Sequence, residues 1–220
     1  MKFTKDEIRK SMLLYAVTDQ MWLKDGEKLA DVVESVLKNG ATFLQIREKD
    51  LAEDAFEAEA ERLKTLCAQH GIPFVVNDSV EIALQCDADG VHVGQSDIKG
   101  RDIRAIIGAD KILGISAGSV AEAVAAEKAG ADYIGVGAVF PTGTKKNATP
   151  MTIEQLKEIV SSVSIPVVAI GGIGAANILQ LCGSGVDGVA VVSAIFAAED
   201  PGKATAALLK LAKELVASHG

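Results

Sequence analysis

Cysteine is scarce in this sequence and positive charge is in deficit. Cys67, Cys86 and Cys182 are the only three cysteines. Their odd number, their lack of C-x-x-C spacing and their apolar neighbours argue against a disulfide framework and for free thiols in a reducing, cytoplasmic setting. Lys and Arg number 22 against 30 Asp and Glu, a net charge of -8. Such a chain lacks the positive field that a general binder of nucleic acid or membrane surface needs, so any anion must be met locally. The opening stretch MKFTKDEIRKSMLLYAV mixes acidic with basic residues around a short apolar run, which is poor for a secretory signal. The one long charge-free window, residues 159–186, contains Pro166, Gly171, Gly172, Gly174 and Asn177. It reads as strand, turn and helix rather than a membrane span.

What is abundant is alternation. The 220 residues are 49% hydrophobic, with no linker or low-complexity tract, so one domain over 1–220 is expected. Short apolar runs recur as MLLYAVT, TFLQIRE, PFVVND, GVHVGQ, KILGIS, YIGVGAVF, VVAIGGI and GVAVVSAIF, each followed by helix-like sequence. Leu29, Val32, Val33, Val36 and Leu37 show the three-to-four spacing of one such helix. Eight strand–helix units in this length predict a parallel sheet closed as a (β/α)8 barrel, with an additional N-terminal helix carrying Phe3, Ile8 and Met12 along one side.

A barrel gathers its ligands at the C-terminal ends of its strands. The second strand ends LQIREKD, and alternation sends Gln45, Arg47 and Lys49 one way, opposite Leu44, Ile46 and Glu48. If the apolar partners face the helices, two cations and an amide line the mouth and call for an anion; ion pairing of Glu48 and Asp50 with Arg47 and Lys49 is the alternative. The third strand ends at Asn77 and Asp78, the fourth before Asp97. Asp78 with Glu81 fits a capping box and Asp97 a helix cap, or the two carboxylates together fit Mg2+ beside diphosphate oxygens. His92, inside the fourth strand, reads as a packed or hydrogen-bonded histidine. The fifth strand ends at Ser116. The loop PTGTKKNATP after the sixth offers Thr142, Thr144, Lys145 and a hinge candidate in Gly143. Gly171 and Gly172 permit close backbone approach, and Val192 to Ala194 opens a short helix suited to phosphate. Two anion sites emerge. One, around Gln45, Arg47, Lys49 and Asn77, suits a diphosphate; the other, around Thr142, Thr144, Gly172 and Ser193, suits a monophosphate.

The stretches LYAVTD, LQIREKD, VNDSVEIAL, ADGVHVGQSD, LGISA, GADYIGVGAVFPTGTKK, PVVAIGGI and DGVAVVSAI together resemble the thiamine phosphate synthase family over essentially the whole chain. The resemblance implies a cytoplasmic barrel transferase, monomeric or a small homo-oligomer, acting on two small molecules, a pyrimidine diphosphate and a thiazole phosphate. It implies a dissociative mechanism and Mg2+ held by Asp78 and Asp97. Gln45, Arg47, Lys49 and Asn77 would contact the pyrimidine diphosphate, and Glu48 belongs to the same candidate substrate-binding stretch. Ser116 would face the pyrimidine and Lys145 the diphosphate. Thr142, Gly143, Thr144, Gly172, Val192 and Ser193 would surround the thiazole phosphate. Arg47, Lys49, Lys145 and Ser116 are the candidates for catalysis, and no Ser-His-Asp or Cys-His set can be assembled from the sequence. A related thiazole tautomerase carries a histidine where this chain has Gly118. That tautomerase, or a non-catalytic regulator, is the alternative reading.

Overall fold

The computed structural model describes residues 2–48, 51–143 and 150–218. Among them, eight parallel strands close a barrel in sequence order: β1 (Leu14–Val17), β2 (Phe43–Ile46), β3 (Phe74–Asn77), β4 (Gly90–Val93), β5 (Ile112–Ala117), β6 (Tyr133–Val136), β7 (Val167–Ile170) and β8 (Gly188–Val191), with β8 pairing back onto β1. The expected (β/α)8 architecture is present. Around it lie α2 (Leu29–Lys38), α3 (Glu53–His70), α4 (Val80–Gln85), α5 (Ile103–Ile107), α6 (Val120–Lys128), α7 (Ile153–Ser161), a four-residue α8 (Ser193–Phe196) and α9 (Pro201–Ala217). Preceding the barrel, α1 (Lys5–Ser11) starts at a capping box between Thr4 and Glu7 and buries Ile8 and Met12.

Strand alternation divides the apolar residues into two cores. Leu44, Ile46, Val76, Val91, Leu113, Ile134 and Val189 point outward and pack with the helices. Tyr15, Phe43, Val75, Ile112, Tyr133, Val168 and Ala190 fill the interior, together with Ile8 and Met12 from α1. One expectation fails after β7, where a 3-10 turn, Ile178–Leu181, replaces an α-helix. Asn177 explains this: its side chain accepts from the Gly174 amide at 2.8 Å and donates to the Gly172 carbonyl at 2.8 Å, binding backbone groups in a turn.

The N-terminal rim of the barrel shows a fourfold regularity. The residue before each even-numbered strand, Thr42, Asp89, Asp132 and Asp187, accepts with its side chain an amide at the start of the preceding odd-numbered strand. The partners are Leu14 (2.8 Å), Phe74 (3.0 Å), Leu113 (2.8 Å) and Val167 (2.8 Å). The three carboxylates also meet cations: Lys2 on Asp89, Arg104 on Asp132 and Arg9 on Asp187. Strand amides left over at this end thereby find acceptors, which an unpaired buried N–H requires.

Candidate active site

At the opposite rim a cavity of about 540 Å³ is walled by the C-terminal strand ends. On the β2 side, Gln45 and Arg47 reach it, as alternation predicts. Thr18, at the end of β1, ties this corner together: its amide donates to the Gln45 carbonyl, its hydroxyl accepts from the Arg47 amide and donates to Glu48 Oε1 at 2.9 Å. Arg47 pairs with Asp19 at 3.3 Å, so its guanidinium is held by a loop carboxylate rather than by Glu48. Glu48 does not line the cavity. Burial raises its carboxyl to about 7, against the lowering effect of the Thr18 hydroxyl, the Gln20 amide and the Arg47 charge.

On the β3–β5 side, Asn77, Asp78, Gln95, Ser96, Asp97 and Ser116 line the same cavity. Asp78 has a left-handed backbone (φ 63°), donates its amide to the His92 carbonyl at 2.8 Å, and lets the Ser79 amide reach back to the Asn77 carbonyl at 2.7 Å. A helix cap needs an extended backbone, so the cap of α4 falls one residue later, on Ser79, whose hydroxyl accepts from the Ile82 amide. The capping-box reading of Asp78 with Glu81 is therefore incorrect. Asp97 is no helix cap either. Its carboxylate accepts from the Gly94 amide at 2.8 Å and from the Ser96 hydroxyl at 3.3 Å, closing a turn, while Asp102 caps α5. A non-glycine residue held at positive φ on a cavity wall is a feature that clusters at functional sites.

The β6–β8 side contributes Thr142, Gly172, Val192 and Ser193. Gly172 (φ 67°) lies so close to the loop after β6 that an added Cβ would sit 2.4 Å from the Pro141 carbonyl oxygen and 2.9 Å from Phe140 Cβ. The glycine thus serves loop packing as well as ligand approach. Val192 caps α8 without a side-chain hydrogen bond, so its own side chain leaves that turn's first amides uncovered. The described members of the two groups of anion-binding candidates line different sides of one cavity.

Beneath the cavity runs a buried polar chain that the sequence did not disclose. Gln45 Nε2 donates to the Tyr15 hydroxyl at 2.5 Å; Tyr15 and Tyr133 hydroxyls meet at 2.8 Å; the Tyr133 hydroxyl lies 3.0 Å from His92 Nδ1, and His92 Nε2 lies 3.0 Å from Ser116 Oγ. His92 is hydrogen-bonded, as expected, and one of its partners is a serine. Ser116 and His92 do touch. The third member is a neutral phenol instead of a carboxylate, and burial raises both tyrosines well above their ordinary value. A phenol at Nδ1 does not stabilise an imidazolium as a carboxylate would, so the pair is a poor activator of a serine nucleophile.

Gln45, Arg47, Asn77, Asp78, Asp97, Ser116, Thr142, Gly172, Val192 and Ser193 are thus brought together on one cavity. Glu48 turns to Thr18, and Gly143 is not on the wall. Lys49, Thr144 and Lys145 lie outside the described residues. Tyr15, Asp19, Gln95 and Glu122 were missed: Asp19 sits in the quoted LYAVTD stretch, but only folding brings it to Arg47. Glu122 lines the cavity from α6 and accepts the Gly118 amide at 2.6 Å. Among the described residues no three His, Cys, Asp or Glu side chains cluster tightly enough to cage a metal. Two hard carboxylates opening on a cavity instead fit Mg2+, which keeps water and ligand phosphate oxygens in its shell.

A model of the family described as "Thiamine monophosphate synthase" matches residues 14–195. A thiamine-phosphate synthase of Clostridium beijerinckii is 50% identical, the match covering 85% of this chain and 89% of that protein. One from Methanobrevibacter smithii is 48% identical, covering 90% and 93%. The solved structure of a thiamine phosphate pyrophosphorylase from Pyrococcus furiosus superimposes with a TM-score of 0.86 at 39% identity, over 94% of this chain and 98% of that one.

Proposed function

Because the chain belongs to the thiamine monophosphate synthase family, we propose that its barrel performs the transfer for which those relatives are named. A hydroxymethylpyrimidine diphosphate is joined to a hydroxyethylthiazole phosphate, or its carboxylated form, giving thiamine monophosphate and diphosphate, with carbon dioxide also released from the carboxylated form. The observation that supports this reading most is the cavity itself. In a chain of net charge -8, Arg47 is pre-oriented by Asp19 beside Asn77, Asp78 and Asp97, across from the glycine and hydroxyl groups of the β6–β8 arc.

In the reaction the carbon–oxygen bond to diphosphate breaks first, and the thiazole nitrogen attacks the resulting pyrimidine methyl cation. Arg47 accepts the charge developing on the departing diphosphate, joined by Lys49 and Lys145. Asn77 and Gln45 hold the pyrimidine diphosphate, Ser116 faces the ring, and Thr142, Thr144, Gly172, Val192 and Ser193 hold the thiazole phosphate in line with it. Bound through Asp78 and Asp97, Mg2+ would supply further neutralisation of the diphosphate. No protein nucleophile is needed, in keeping with the neutral partner of the Ser116–His92 pair. We assign the whole reaction to one catalytic domain, residues 1–220, in the cytoplasm, as a monomer or small homo-oligomer without nucleic-acid or membrane partners. No helix among the described residues is long and apolar enough to cross a membrane.

Purified protein given both substrates is expected to release diphosphate and form thiamine monophosphate, detected by mass spectrometry, only with Mg2+ present. Binding of both phosphates without release would indicate a regulator, and an isomerised thiazole without release a tautomerase. Lys145→Ala is expected to slow turnover while leaving the fold intact.

A further inference from the structure

The buried chain beneath the cavity has a direction, and the direction follows from counting protons. Gln45 Nε2 has only hydrogens to offer, so the Tyr15 oxygen accepts from it. Tyr15 is 1% exposed and its one other polar partner among the described residues is Tyr133, so among them the Tyr15 proton has nowhere else to go without leaving a buried donor unpaired. Tyr133, fully buried, receives it and must pass its own proton toward His92 Nδ1. An imidazole accepting at Nδ1 is neutral with its proton on Nε2, where it donates to Ser116 Oγ. Ser116 has then accepted once from within the protein, and its own proton is left for the cavity it lines. At the other end, Gln45 gives one of its two amide N–H groups to Tyr15, which fixes the orientation of the carboxamide. It also lines the cavity, and its Oε1 has no hydrogen-bond donor among the described residues.

We propose that Tyr15, Tyr133 and His92 are positioning residues that make Ser116 a fixed hydrogen-bond donor and Gln45 a fixed acceptor, so that the pocket selects an aminopyrimidine over the corresponding oxo-pyrimidine. This rests on the pyrimidine diphosphate reading above and adds the basis of its ring selectivity. An aminopyrimidine offers an amino N–H to the Gln45 oxygen and a ring-nitrogen lone pair to the Ser116 hydroxyl. In the oxo form both are inverted: a carbonyl oxygen faces the acceptor and a ring N–H faces the donor. Sites with committed polarity reject such analogues strongly, because the mismatch leaves buried groups unpaired. Room for the chain is built in. A Cβ at Gly114 would sit 2.2 Å from Tyr133 Cζ and 2.6 Å from His92 Nδ1, so only glycine lets phenol and imidazole meet across the barrel.

The test has two readouts. In ligand-free protein labelled at histidine with 15N, long-range 1H–15N correlation is expected to show His92 as the neutral Nε2–H tautomer, identified by its loss in His92→Gln. Calorimetric titration with the 4-amino and 4-oxo hydroxymethylpyrimidine diphosphates is expected to favour the amino form by on the order of a hundredfold, two tenfold mismatches. Tyr133→Phe frees His92 to adopt either tautomer, and the preference is expected to fall about tenfold. Tyr15→Phe, which leaves the Tyr133–His92 contact in place, serves if Tyr133→Phe does not fold. An Nδ1–H imidazole in protein that binds the aminopyrimidine overturns the relay alone. An Nε2–H imidazole with an undiminished preference in a folded variant overturns the selectivity. Failure of the aminopyrimidine to bind the unaltered protein overturns the pocket assignment, and with it this use of the relay.

Discussion

The two rims of the barrel carry similar residues and use them in opposite ways. At the N-terminal rim, Asp89, Asp132 and Asp187 each have a strand amide and a cation as partners inside the protein. At the C-terminal rim, Asp78 sits on a left-handed backbone beside the cavity, and Asp97, although it closes a turn, faces the same space. Carboxylates that join a strand amide to a cation hold a barrel together; carboxylates on a cavity wall stand where a ligand and its cation can reach them. The difference teaches that residue type alone does not mark a functional acid. What marks it is the space on which the fold makes it open.

Substitutions at the two rims are expected to separate function from stability. The largest effect is expected from Asp78→Asn, since asparagine tolerates the left-handed backbone and only charge is lost. Turnover should drop by about 100-fold or more with Tm little changed, measured by diphosphate release and thermal unfolding. A parallel loss of Tm would erase the distinction between the rims. Next comes Asp132→Ala, which strips the Leu113 amide of its side-chain acceptor and Arg104 of its carboxylate, leaving Arg104 its backbone carbonyl partners. About 2 kcal/mol of stability, or ~4–8 °C in Tm, should go, while kcat stays within about twofold.

A third substitution sharpens the comparison through pH. Glu48 is held near 7 in the folded protein against an ordinary 4.5. The folded state therefore binds this proton more tightly than the unfolded chain, and stability falls as pH rises from about 4.5 to about 7 before levelling. Glu48→Gln should flatten that part of a urea-denaturation profile, by an amount reduced because the group is partly in contact with water. The smallest effect belongs to Arg9→Ala. Its partner Asp187 keeps the Val167 amide, so less than about 1 kcal/mol is expected to be lost, and a larger loss would mean the cation matters more than the staple.

Gly172→Val is a poorer probe than its place on the cavity suggests. The new side chain would strike the Pro141 carbonyl and Phe140 before reaching any ligand. Weakened thiazole phosphate binding in this variant would report a displaced loop as readily as a blocked approach.

Much of this was legible in one dimension. Period-two alternation in LQIRE put Gln45 inside and Leu44 and Ile46 outside, because a pleated strand has no other choice. The eight repeats announced a closed parallel barrel, and a barrel announces where its ligands gather. The capping of α4 and α5 was misplaced because Asp and Ser compete as caps within a few residues and only backbone geometry decides between them. The Arg47–Asp19 pair and the relay from Gln45 to Ser116 join residues 24 to 118 positions apart. No local pattern encodes such contacts.

By itself, then, the sequence determined the repeat, the strand faces and the set of residues delivered to the C-terminal rim, since these depend on steric alternation and apolar burial within each segment. Only the tertiary structure decided which polar groups are already satisfied and which way their protons point. Hydrogen bonds between distant strands are set when the barrel closes, and a side chain's chemistry depends on the partners that closure supplies.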